Sequence, residues 1–227
     1  MAFIAASGGL RQRVLILLAC LWASAAAAQD CPPRGLAAPM VETLFTSDVV
    51  EPVVRNDRTR NQLTQLATRH TAGHREAGLT QTRTQLTITP RYRWTDLPGG
   101  RTCLMLERVT ADWRMHAITV DIAAEFPPGT CQYNVVREHE FEHVRLTRGA
   151  FHAHVPRMRA HLAEVTRGIG PFVFHGDAQR GGEQIIARLK AGLKPVLDDF
   201  EADNRRANSA IDTVESYRAV AARCPSW

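Results

Sequence analysis

Apolar residues follow two different spacings in this chain, and the change between them falls near its middle. From Val41 to about Glu125 the spacing is strand-like: Thr84-Gln85-Leu86-Thr87-Ile88-Thr89 alternates and is β-branched. Cys103-Leu104-Met105-Leu106 is continuously apolar, and Ala117-Ile118-Thr119-Val120-Asp121-Ile122 alternates again. Pro98-Gly99-Gly100 predicts a turn joining two of these strands, and Arg58 to His74 a short helix with Leu63 and Leu66 on one side. Pro127-Pro128-Gly129 closes the strand region.

Beyond that point the period becomes helical. Val144, Phe151, Val155, Met158, Leu162 and Val165 form one apolar stripe that persists through Pro156. The expected element is a long helix kinked near Pro156, whose ring crowds the carbonyl of His152. Gly168-Ile169-Gly170-Pro171 ends it, and Glu183 to Leu197 and Phe200 to Ala221 predict two further amphipathic helices. A β-rich half followed by a helical half is an α+β architecture.

The first 28 residues read as a secretory signal. Arg11 and Arg13 form the positive region, Val14 to Trp22 the apolar region, and Ala26-Ala27-Ala28 a cleavage site before Gln29. A competing reading takes Leu17-Leu18-Ala19-Cys20 as a lipobox, with Cys20 lipidated. Residues 29–227 contain no linker or repeat, and at 44% apolar content overall they suffice for a single domain. No later stretch approaches about 20 apolar residues, so no transmembrane segment is expected in the mature chain. The net charge of +5 is dispersed over arginines, with only Lys190 and Lys194 as lysines, and no nucleic-acid module is recognisable.

Four cysteines follow the signal, an even number for an oxidising compartment such as the periplasm or the exterior, so two disulfides are expected. Of the three possible pairings, the one expected joins Cys103 with Cys131, closing a β-rich stretch, and Cys31 with Cys224, joining the ends, though spacing alone does not select it. No CxxC pair suggests a cysteine-based zinc site.

The sharpest chemical signal is His139-Glu140-Phe141-Glu142-His143, an HExxH pentapeptide. Chance would produce such a match on the order of 0.02 times in a chain of this composition. Two imidazoles four residues apart on a helix lie about 40° apart around the axis and about 6 Å along it, so both reach one zinc ion. Glu140 then stands beside a zinc-activated water as a general base. Glu142 is expected to pair with Arg145 on the helix surface.

A catalytic zinc takes three protein ligands and an open position. His152 points to the opposite side of a continuous helix, while His154 and His161 lie about 16 Å or more from His143 along it. All three are expected to face solvent or cap. Gly149 occupies the place of the last histidine in the extended HExxHxxGxxH motif. Glu164 serves only if the chain reverses between Gly149 and Pro156. The late segment from Asn208 to Tyr217 offers Asp212 as a third ligand and Tyr217 as a donor to the oxyanion formed on attack.

The secretory signal, the β-rich half with its Cys and Trp, the Pro-rich step, Cys131, the HExxH and the late Ile-Asp-Thr segment together resemble the family of bacterial predicted secreted zinc-dependent proteases. That resemblance implies a zincin-like fold and a peptide or protein substrate, and amide hydrolysis in peptidoglycan would use the same chemical parts. In the family the late Asp is followed by a Thr and a His-Gly pair, whereas Tyr217 falls here where such a His would stand. The function expected is a periplasmic or secreted zinc metallopeptidase. The alternatives are a non-catalytic divalent-metal binder and a disulfide-stapled envelope interaction module.

Overall fold

The computed structural model describes residues 31–67 and 75–227. The signal segment, the lipobox with Cys20, and the last part of the Arg58–His74 stretch lie outside the described residues.

A single long strand organises the sheet. β4 (Arg101–Ile122) pairs antiparallel along its whole length with β3 (Gly78–Leu97). Gly99 and Gly100, with φ of +78° and +66°, make the turn between them, a left-handed conformation that glycine adopts without steric cost. Along the other edge of β4 lie β5 (Phe172–His175), antiparallel, and then β1 (Glu42–Val49) and β2 (Val53–Arg55), both parallel. The apolar run at Cys103 and the alternating run at Ala117 are thus two parts of one strand.

α1 (Arg60–Leu66) is the short helix expected here, opened by a capping box between Thr59 and Gln62. Leu63 is buried while Leu66 is exposed, so the two do not share an environment. α2 (Cys131–Arg167) carries the HExxH, begins at the N-cap Thr130 and continues through Pro156. α3 (Ala178–Ile211) and α4 (Val214–Ala221) complete the chain. The break therefore falls at Asp212-Thr213 rather than between Leu197 and Phe200. Thr213 explains it: its hydroxyl accepts from the Ser216 amide and its backbone is extended, an N-cap geometry incompatible with continuing α3.

Helices and sheet meet at Trp113 of β4. Its ring lies 4.3 Å from Phe151 of α2 and 5.2 Å from Phe200 of α3, and all three are buried. Met158 and Leu162 extend the same face of α2 into the core, as the stripe requires. The chain is mixed α and β, with most strands preceding the long helices and β5 returning to the sheet between them.

The disulfides are Cys31–Cys103 and Cys131–Cys224, which overturns the expected pairing. Cys103 lies near the hairpin end of β4, and Cys131 follows the opposite end. At about 3.3 Å per residue a straight strand of that length separates them by about 60 Å. Both bridges are compatible with a secreted or periplasmic location. Among the described residues no helix is long and apolar enough to cross a membrane.

Candidate metal centre

α2 presents His139 and His143 one turn apart on the face turned towards the end of α3. Their Nε2 atoms are 3.3 Å apart. Asp212, the C-cap of α3, brings Oδ1 to 3.0 Å from His143 Nε2 and 3.4 Å from His139 Nε2. Four ligands at about 2.0–2.1 Å around a tetrahedral ion are separated by about 3.3 Å, so these three atoms have the spacing of one face of a zinc tetrahedron. The donor set of two imidazoles and one carboxylate fits a zinc site with a fourth position open.

The second nitrogen of His143 is fixed as well. Its Nδ1 lies 2.7 Å from Asn208 Oδ1. The Asn208 amide nitrogen donates to Thr147 Oγ1 (3.2 Å) and to the Asn204 backbone and side-chain oxygens (2.8 Å each), which orients the amide with its oxygen towards the imidazole. His143 must then donate from Nδ1, so Nε2 is the nitrogen that a metal would take once its proton is displaced. Asn208 stands one helical turn before Asp212, and that spacing is the signal by which a sequence reading could have found it.

Glu140 is 5% exposed and is held from the sheet side. Thr80 Oγ1 of β3 lies 2.8 Å from Glu140 Oε2 and 3.0 Å from its backbone oxygen. Gly78 lets the strand come this close, since a Cβ there would lie 2.5 Å from Glu140 Oε1. Neither Gly78 nor Thr80 belongs to any motif, and nothing in their local sequence marks them.

Charge at the site follows from these contacts. Burial raises the pKa of Glu140, only partly opposed by the histidine charges and the Thr80 hydrogen bond. Burial alone would lower His143, but the Asp212 hydrogen bond and the charges of Glu140 and Asp212 lift it to about 9. Burial raises Asp212, yet hydrogen bonds from both histidines and Tyr217 hold it well below the usual carboxylate range. Tyr217 donates its hydroxyl to Asp212 Oδ1 at 3.0 Å, and burial together with the Asp212 charge pushes its pKa up.

His139, Glu140, His143, Asp212 and Tyr217 therefore converge, all lining one cleft of about 490 Å³. Glu164 does not join them: it is exposed at the far end of α2 and lies 3.3 Å from His161 Nδ1. His152 is exposed as expected. His154, expected at the surface, is instead 4% exposed, with Nδ1 donating to the Ala150 carbonyl at 2.9 Å. His161 reaches across to the Gly192 carbonyl, also at 2.9 Å. Glu142 pairs with Arg145 at 2.5 and 2.8 Å, on the surface.

Comparison with protein-family models, curated proteins and solved structures returned no match.

Proposed function

We propose that this protein is a zinc-dependent hydrolase of peptide or amide bonds, secreted or periplasmic, with a zincin-like arrangement of sheet and HExxH helix. The observation that carries the reading is the convergence of His139, His143 and Asp212 at tetrahedral spacing with buried Glu140 alongside. Zinc held by those three side chains supplies Lewis acidity, polarising a carbonyl and making water more acidic. Glu140 is the general base: burial raises its pKa and so strengthens it as a base, and it takes a proton from the attacking water and returns it to the departing amine nitrogen. Thr80 holds that carboxylate in place throughout. Tyr217, a neutral phenol hydrogen-bonded to Asp212, stabilises the oxyanion by turning its hydroxyl from Asp212 to the substrate.

This reading agrees with the resemblance to bacterial predicted secreted zinc-dependent proteases, and the substrate is a peptide, a protein or the peptide part of peptidoglycan. The decisive experiment measures zinc per chain and hydrolysis of denatured protein and peptidoglycan side by side. Wild type should hold about one zinc, His139→Ala should lose it, and Glu140→Gln should keep it while hydrolysis falls by about 10²–10⁴. Zinc retention without hydrolysis in wild type would replace the enzyme with a metal-binding protein. A wild type that takes up no zinc would leave a disulfide-stapled envelope module.

A further inference from the structure

We propose that the cleft selects substrates bearing a carboxylate next to an apolar side chain, with Arg75 meeting the carboxylate and Trp227 forming the apolar wall. The proposal rests on the hydrolase reading above and names its substrate class.

Apart from Glu140 and the metal-binding side chains, the charged residues lining the cleft are Arg60, Arg75 and Arg205 against one carboxylate, Glu76. The three arginines differ in how they are held. Arg60 is anchored inward: its Nη2 donates to the Arg75 carbonyl at 2.8 Å and its guanidinium lies 5.9 Å from the Phe126 ring. Arg205 faces Glu201 on α3 at 3.4 Å. Arg75 is exposed and forms no ion pair among the described residues. Its guanidinium is the one left to take an anion, and a planar fork of donors matches a carboxylate.

Trp227 lines the same cleft. Its ring meets Phe126 edge-on at 5.6 Å, and its indole nitrogen donates to the Ala221 carbonyl at 2.6 Å. Arg60, Phe126 and Trp227 thus form one contiguous wall, in which Trp227 remains 46% exposed. An aromatic surface held by a hydrogen bond, in a cleft that also holds the Arg75 guanidinium, takes an apolar side chain with an acidic neighbour. Zinc held by His139, His143 and Asp212 would add positive charge to the same cleft, which favours an anionic substrate further.

The test uses two matched peptides, identical except for Glu or Gln beside a Phe. Turnover is measured with zinc-loaded protein, and binding with zinc-loaded Glu140→Gln, which holds the peptides uncleaved. The Glu peptide should be preferred about tenfold at low salt in both readouts, the scale of one charge-assisted contact, with the preference shrinking at high salt. Arg75→Gln should bring that ratio close to one, whereas Arg180→Gln, a charge-matched change remote from the cleft, should keep it. Trp227→Ala should weaken both peptides together. Equal binding of the two peptides, or a preference that survives Arg75→Gln, would overturn the proposal. Failure of both peptides to be cleaved counts against the hydrolase reading, while the binding ratio still decides the role of Arg75.

Discussion

Asn208→Ala removes the acceptor that sets His143, and its effect can be worked out from the contacts around it. The 2.7 Å hydrogen bond from His143 Nδ1 disappears, leaving that N–H without a partner on a side chain only 11% exposed. An unsatisfied buried donor costs about 1–3 kcal/mol, and loss of the contact also frees the imidazole to change tautomer and rotate away from Asp212. Orienting partners of metal-bound histidines are typically worth 10–100-fold in metal affinity, about 1.4–2.8 kcal/mol, which is the same range. The variant also loses bonds to Thr147 and Asn204, so a general loss of stability must be separated from the specific one. Competition with a chromophoric chelator gives the zinc Kd, and melting with and without zinc separates the two effects. The expected result is a Kd weakened by about 10–100-fold and a smaller zinc-induced rise in Tm. A Kd within twofold of wild type, at any stability, would show that Asn208 does not position the ligand.

Gly78→Ala places a methyl 2.5 Å from Glu140 Oε1 and 2.7 Å from Val136 Cγ1, so Glu140 must move; hydrolysis should drop at least about tenfold with zinc content unchanged, and normal activity would refute the packing assigned to β3. In the metal-free protein the lifted pKa of His143 stabilises the fold fully below about pH 6.5, its unfolded value, and that stability is lost as pH rises through about 9. Chelator-treated samples should therefore melt lower across that window, while zinc affinity should rise up to about tenfold per pH unit as the competing proton leaves; a flat profile in both would contradict the His143–Asp212 contact. Replacing Cys131 and Cys224 by Ser should cost about 4.6 kcal/mol by loop entropy over a separation of 93 residues, and it should weaken zinc binding through release of α4, which has no buried residue of its own. Unchanged zinc affinity in that double variant would show that α4 docks without the bridge.

What the sequence disclosed depended on how local each signal was. The HExxH, the Pro98-Gly99-Gly100 turn and the stripe on α2 are properties of neighbouring residues, and each corresponds to a feature of the fold. Asp212 and Tyr217 were visible as ionisable groups on an amphipathic stretch, but the helix break that brings Asp212 over the histidines depends on one capping threonine. The disulfide partners were misread because Cys103 and Leu106 looked like a short strand, whereas they belong to a strand running the length of the sheet. His154 illustrates the same limit, since its burial comes from α3, far away in sequence. Gly78 and Thr80 carry no chemical motif, and only the fold brings them to Glu140.

The bridge between Cys131 and Cys224 also governs when the chain can act. His143 leaves the ribosome 69 residues before Asp212 and 81 before Cys224, an interval of roughly 3–16 s at about 5–20 residues per second. Until then the pentapeptide has neither Asp212 beside it nor the covalent tie that holds α4 in place, and reducing surroundings withhold the tie even after synthesis ends. Under the proposed chemistry, a nascent chain is harmless to its neighbours. On the proposed function, hydrolytic competence would arise late, where oxidation occurs.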